Sequence, residues 1–267
     1  MLVWNDPDDT SLAEIGDDGS YRCGGTPDFW PTDLLAAWTP GGAPMRAPGN
    51  TGELFKAGAT IVVNIHYHPT GNTSEDDQTQ IALKWTEVEP PNYITWLLAD
   101  IPFGAEVLPG ENDIDGVPEF RIPAGASNHV ETLSLNFDGF GTPFDLSIFA
   151  VTPHMHYLGT DMQVNVLGDA PDDDYCVIHT PNYRFDFQTS YVYDSPAGQL
   201  PSFRTGQTFE IRCTYDNSLS NPFIADQMAA AGVSEPTDVY WGEETQDEMC
   251  MAMVGLIIPP VDLSEWL

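Results

Sequence analysis

The feature that most restricts the fold is a series of short apolar runs, each of which ends at a turn-forming segment. Gly and Pro occur 23 times each, so tight turns are frequent and long helices are disfavoured. From residue 93 onward this spacing is typical of a β-sandwich or jelly roll. The runs are 93–98, 131–137, 145–151, 161–166, 208–215 and 249–258. One short helix is predicted at 224–231.

The chain before residue 93 carries two further strand candidates. Residues 59–66 (ATIVVNIH) are rich in β-branched side chains and predict a buried strand, and 80–88 predict a second one. A Glu-Pro-Pro-Asn sequence at 89–92 then breaks the chain. We therefore predict an all-β fold of two jelly-roll-like β-sandwich domains, an incomplete one at 1–89 and a complete one at 92–267. No apolar run is long enough to span a membrane.

The charge balance restricts the possible partners. The chain has 41 acidic and 8 basic residues, for a formal net charge of −33, and such a surface repels nucleic acid. Acidic segments at 6–9 (DPDD) and 17–19 (DDG) suggest calcium, but neither has the ligand spacing of a calcium loop. A solvated acidic surface is the better interpretation.

The four cysteines indicate an oxidising compartment. They show no C-x-x-C spacing, which disfavours a zinc or redox motif, and an even number in a loop-rich chain fits disulfide bonds. We therefore expect an extracellular or periplasmic location. The N-terminal residues do not form a signal peptide, which suggests to us that upstream sequence is missing.

Two of the six histidines, His154 and His156, form an H-x-H pair. Residues i and i+2 of a strand point to the same face, so the two imidazoles can lie side by side and begin a metal site. The alternative is a pair of surface or hydrogen-bonded histidines. His129 and His179 have no companion motif and are expected to be of that second kind.

The residues around the pair resemble a known family. Segments 151–159 (VTPHMHYLG), 212–218 (RCTYDNS) and 242–250 (GEETQDEMC) resemble the catalytic domain of the copper type II, ascorbate-dependent monooxygenases. That family includes dopamine β-hydroxylase, peptidylglycine α-hydroxylating monooxygenase and bacterial relatives. The resemblance extends over most of residues 35–260, and it is the ordered combination of motifs that makes it specific.

The resemblance implies that His154, His156 and Met249 bind the oxygen-binding copper. Ligand chemistry agrees, because a thioether is a soft ligand that favours Cu(I) whereas structural zinc seldom uses methionine. The alternative for Met249 is a methionine of the core. The resemblance also pairs Cys213 with Cys250 in a disulfide that would hold the strand of Met249. It assigns no partner to the other two cysteines, Cys23 and Cys176.

The second, electron-donating copper of the family is only partly represented. His66 matches one of its three histidines, but the sequence has no adjacent His-His pair to match the other two. His68 either replaces a ligand or is a hydrogen-bonded neighbour. The resemblance predicts that the sequence starts just after the missing pair; the alternative is a natural variant that lost this site. We therefore expect two coppers in a complete enzyme, one in this chain, and poor turnover by the chain alone.

The implied reaction is hydroxylation of a C–H bond, with dioxygen and ascorbate as co-substrates of a small molecule. The peptide-hydroxylating branch holds its substrate carboxylate with an arginine, an asparagine and a tyrosine. Here those positions are Thr152, Met251 and Met253, none of which binds a carboxylate strongly. An apolar or neutral substrate is therefore expected. The alternative function is a non-catalytic copper-binding β-sandwich module.

Overall fold

A computed structural model describes residues 1–22, 33–39, 42–67, 71, 76, 78–137 and 144–259. These residues form sixteen strands, one α-helix and four short 3-10 helices. The strands are β1 (Leu2–Asp6), β2 (Asp33–Ala37), β3 (Thr51–Gly52), β4 (Thr60–Asn64), β5 (Asn92–Ala99), β6 (Glu106–Val107), β7 (Arg121–Ile122), β8 (Ser127–Asn136), β9 (Leu146–His154), β10 (Gly159–Leu167), β11 (Tyr175–Pro181), β12 (Tyr191–Val192), β13 (Ser202–Phe203), β14 (Thr208–Asp216), β15 (Val239–Tyr240) and β16 (Met251–Ile258). The helix is α1 (Ile224–Ala231), and the 3-10 helices are Thr10–Ala13, Ile101–Phe103, Pro171–Asp173 and Ala197–Gln199.

Two mostly antiparallel sheets form a sandwich, which confirms the predicted all-β class. One sheet has the order β11-β10-β14-β8-β6, and the other has the order β12-β9-β16-β5-β3, with β13 also paired to β9. Alternate residues of β8, β10 and β14 are buried, as expected for strands with one face on a core. The inner faces meet in a large apolar cluster that includes Leu133, Val164, Ile211 and Val254.

The third sheet, of order β2-β1-β4, contributes a second core on the outer face of the six-stranded sheet. Trp4 and Leu34 belong to this core, together with Trp96, Phe149 and Met253 of the larger sheet. Gly255 of β16 makes this packing possible. A Cβ atom at this position would lie 2.7 Å from the Phe149 ring, so a larger residue would push the ring out of the core.

The strand predictions succeed from residue 92 onward and are less accurate before it. Each of the six runs overlaps a strand, and the helix at 224–231 is confirmed. Strand β4 ends at Asn64, two residues before the predicted end at His66. The strand predicted at 80–88 is wrong: these residues form no strand, and Trp85 is 76% exposed. Their alternating pattern suits a strand, but no described strand pairs with them.

The division into two domains at residues 90–91 stays a prediction. Strands β1, β2 and β4 form a sheet of their own, whereas β3 pairs in parallel with β5 and so extends the six-stranded sheet. Within the described residues no helix is both long and apolar enough to cross a membrane.

Candidate metal centre

The candidate centre lies where β9 ends and β16 begins, on adjacent strands of the six-stranded sheet. His154 is the last residue of β9 and pairs with Met251, the first residue of β16. His156 and Met249 each lie two residues beyond this pair, and the Glu248 carboxylate accepts hydrogen bonds from the main chains of both. The sheet therefore brings two segments that are distant in sequence to one end of the sandwich.

The two imidazoles are close, although they do not share a strand. His156 follows the end of β9, and its ring centroid lies 5.1 Å from that of His154, with the rings nearly perpendicular. The sequence argument for adjacent imidazoles assumed that both residues belong to a strand. The chain instead turns after His154, and the main-chain and side-chain contacts described below hold His156 in place.

A hydrogen bond that His154 donates to Gln188 sets the tautomer of His154. The amide Nε2 of Gln188 donates to the carbonyl oxygen of Phe185 (3.0 Å), so its Oε1 is the atom that faces His154 Nδ1 at 2.6 Å. An amide oxygen can only accept, so the proton of the neutral imidazole is on Nδ1. The lone pair of His154 is therefore on Nε2.

His156 has the same tautomer for a different reason. Its Nδ1 lies 3.0 Å from the carbonyl oxygen of Asp247, which can only accept a hydrogen bond. Nε2 of His154 has no hydrogen-bond partner among the described residues, and the backbone carbonyl of Glu244 is a second polar neighbour of the His156 ring. Two imidazoles with Nδ1–H held by oxygen acceptors have the orientation that metal-bound histidines usually adopt.

Burial keeps both rings neutral. It lowers the pKa of His154 to about 3, with a further contribution from the positive charge of His156, while the bond to Gln188 acts in the opposite direction. Burial also lowers the pKa of His156, and the Asp247 carbonyl opposes that effect. Neutral imidazole is the form that binds metal ions, so proton competition is weak here.

The segment that carries Met249 is held from several directions. Met249 is almost completely buried, and the Tyr215 hydroxyl donates to its carbonyl oxygen at 2.7 Å. The next residue, Cys250, forms the predicted disulfide with Cys213 of β14. This bond is confirmed, and it links the five-stranded sheet to the segment that leads into β16. The prediction that Met249 is a ligand remains a prediction, because its side chain is equally compatible with a core position.

Two residues of the centre were not predicted as functional: Gln188 and Glu248. The Glu248 carboxylate is fully buried and accepts hydrogen bonds from the backbone N–H groups of His156, Leu158 and Met249. Burial raises the pKa of Glu248 to about 8, against the opposing effect of these three bonds. The only feature of the sequence that marks Glu248 is its position beside Met249 in an Asp-Glu-Met-Cys run. Gln188 has no local signal.

The remaining histidines are placed as follows. His66 is exposed just after β4, and its charge contributes to the lowered pKa of both His154 and His156, so it lies on their side of the molecule. His68 lies outside the described residues. His129 is buried against Glu131 (2.6 Å), and His179 pairs with Asp161 (2.9 Å), so both have the hydrogen-bonded character expected of them.

No group of three or more His, Cys, Asp or Glu side chains suited to a metal ion occurs among the described residues. Cys176 is exposed and has no disulfide partner in the described part of the chain, and Cys23 lies outside it.

The acidic segments form hydrogen bonds within turns. Asp6 is buried and accepts bonds from the backbone of Thr10 and from the backbone and hydroxyl of Ser11. Asp18 accepts two bonds from Ser20 in the same way. These contacts explain both carboxylates without a cation.

The side of the sheet beside His154 presents neutral groups. The Thr152 hydroxyl donates to Ser190 Oγ at 2.7 Å, and Met253 is buried in the second core. A cavity of about 280 Å³ lies nearby, and its lining includes Pro153 and Gln188 but not His154. Gln188 thus borders the cavity and also contacts Nδ1 of His154.

Two comparisons with known proteins were negative. No model of a protein family matches the chain, and no curated protein has significant similarity to it. The fold and the site geometry define an all-β sandwich protein with a paired-histidine centre at one end of the sandwich. Any statement about its activity therefore depends on the chemistry of these residues and on the resemblance of the three sequence segments.

Proposed function

We propose that this protein binds copper through His154, His156 and Met249. The observation that carries the proposal is the matched tautomer of the two imidazoles, which leaves two Nε2 lone pairs on rings 5.1 Å apart. A site of two imidazoles and a thioether favours copper over zinc, because the soft sulfur stabilises Cu(I).

The function that fits such a site and the sequence resemblance is that of a copper-dependent monooxygenase with dioxygen and ascorbate as co-substrates. Bound copper would supply the one-electron redox chemistry that C–H hydroxylation requires. The chain contributes the positions of the ligands. Gln188 and Asp247 keep both Nδ1–H groups as donors, so the imidazoles cannot rotate away without losing a hydrogen bond.

The substrate of this proposed enzyme is an apolar or neutral small molecule. Thr152 and the two methionines of β16, Met251 and Met253, offer no charge to a substrate carboxylate. The surface charge of the protein, −33 overall, also disfavours an anionic ligand. The confirmed disulfide supports an extracellular or periplasmic location, where such bonds persist.

A second copper would involve His66, with His68 as a further candidate, and would deliver electrons from ascorbate. The sequence has no adjacent His-His pair to complete that site. The second candidate function is a copper-binding module without catalysis, and an upstream segment that carried an adjacent His-His pair would favour the enzyme instead. If the 267-residue chain coupled ascorbate oxidation to product at a full enzymatic rate, another group would have to complete the second site.

The copper site is tested by competition titration of Cu(I) with a chromophoric chelator. Met249→Leu and His154→Ala should both weaken binding, and the histidine change should be the more severe because the thioether is the weaker ligand. Matched controls are His179→Ala, an exposed histidine paired with Asp161, and Met228→Leu on α1. Equal affinity in wild type, both site variants and both controls would refute the site.

A further inference from the structure

One side chain, that of Glu248, accepts hydrogen bonds from the main chains of both ligand segments. Strand β9 ends at His154, so the N–H groups of the turn that follows have no strand partner. Buried N–H groups require an acceptor, and Glu248 supplies it. Its Oε1 accepts from Leu158 N (2.6 Å), and its Oε2 accepts from His156 N (2.9 Å).

The same Oε2 atom also accepts from the N–H of Met249 at 3.3 Å. One oxygen therefore contacts the main chains of two proposed ligands, although 92 residues separate Glu248 from His156. The carboxylate is completely inaccessible to solvent, so water cannot replace these bonds. This buried atom therefore joins the backbones of His156 and Met249 directly.

We propose that Glu248 is a positioning residue that fixes Met249 relative to His156 and thereby tunes copper affinity; this inference rests on the proposed copper site. Glu248 does not contact the metal, since its oxygens are occupied by main-chain donors. It acts through the two ligands, as hydrogen-bonded residues outside the coordination sphere of metal sites commonly do.

The adjacent residues give this role a structural context. Asp247 accepts from His156 Nδ1 through its carbonyl oxygen, and Cys250 is bonded to Cys213. Glu248 is flanked by these two fixed points, so its carboxylate has little freedom to move. Loss of the carboxylate would leave three buried N–H groups without their acceptor, and the turn at 155–158 would have to change conformation.

The test uses Glu248→Gln and Glu248→Asp in the full chain, with Glu131→Gln as the matched control. Glu131 is a second buried carboxylate that accepts a backbone N–H, from Arg121, but it has no contact with His154, His156 or Met249. Cu(I) affinity is measured by chelator competition, and the copper–sulfur signal is measured by X-ray absorption. Melting temperatures without metal report the purely structural effect.

We expect both Glu248 variants to bind Cu(I) about ten- to a hundred-fold more weakly than wild type, with a weakened copper–sulfur signal. Glu131→Gln should lower the melting temperature and leave Cu(I) affinity unchanged. A folded Glu248 variant with wild-type affinity would overturn the positioning role. So would variants that stay unfolded with saturating Cu(I), because Glu248 would then be a folding residue only. If wild type itself bound no Cu(I), the failure would lie in the proposed function instead.

Discussion

Replacement of Gln188 tests how strongly the structure depends on the tautomer of His154. In Gln188→Leu the side chain keeps its approximate size but loses Oε1, so the buried Nδ1–H of His154 has no acceptor. Leaving a buried donor unsatisfied costs about 1–3 kcal/mol. The ring can avoid that cost by moving its proton to Nε2 or by rotating, and both changes remove the lone pair from the metal side.

The resulting loss in Cu(I) affinity should be about ten- to a hundred-fold, since about 1.4 kcal/mol corresponds to a factor of ten. Gln188→Glu provides the comparison, because a carboxylate also accepts from Nδ1–H and should keep most of the affinity. The assay is chelator competition, with NMR of the imidazole nitrogens as a direct report of the tautomer. If Gln188→Leu bound Cu(I) as tightly as wild type with Nδ1 still protonated, the argument from the tautomer would be wrong.

Three further predictions concern stability and stoichiometry. Burial raises the pKa of Asp100 to about 6 from 3.8, so the folded state binds a proton more tightly than the unfolded state does. As the pH rises from about 4 to about 7, wild type should therefore lose up to about 3 kcal/mol of unfolding free energy relative to Asp100→Asn. Urea denaturation at each pH measures this difference, and parallel stability curves for the two proteins would contradict the prediction. Double replacement of Cys213 and Cys250 by Ser should lower the unfolding free energy by about 4 kcal/mol, a value that follows from their separation of 37 residues. A change below about 1 kcal/mol would show that the disulfide does not stabilise the sandwich. Metal analysis after desalting should find one copper per chain, retained in His66→Ala and lost in His154→Ala; loss in both would place His66 in the same site.

The sandwich was predictable where local pattern and tertiary environment agree. The alternation of β14 follows from a strand with one face on the core, and the pattern is visible in the sequence at 208–215. Helix α1 ends at Gly232, whose φ of 70° is easily adopted only by glycine, so its C-terminus has a sequence signal as well. In both cases the type of a residue matches its own burial or backbone conformation, so the structure can be predicted from the local sequence.

The strand predicted at 80–88 is wrong because a local sequence pattern does not predict strand pairing. Ile81, Leu83 and Trp85 are large apolar residues at alternate positions, as in a strand, yet all three are exposed. A strand needs a neighbour whose backbone groups complete its hydrogen bonds, and a sequence pattern does not state whether that neighbour exists. The pattern at 59–66 had such a neighbour in β1, and there a strand formed.

The sequence indicates which residue types of the candidate centre could bind a metal, but not which residues hold them in place. The H-x-H pair stands out in the sequence by residue type, whereas Met249, one of eight methionines, was assigned only through the family resemblance. Gln188 and Glu248 are common polar residues whose role depends on partners 34 and 92 residues away. Only the pairing of β9 with β16, together with the turn after His154, brings these groups together.

Four consecutive residues connect the fold to the proposed chemistry. Asp247 orients His156, Glu248 joins the two main chains, Met249 offers a thioether, and Cys250 anchors the segment to β14. An isolated methionine would be a weak and mobile ligand, because a thioether binds metals with little directional force. Placed between a buried carboxylate and a disulfide, the backbone of Met249 has lost most of its freedom before any metal arrives. The conformational entropy of ordering this ligand is therefore part of the folding free energy, and a weak ligand can contribute to a tight site.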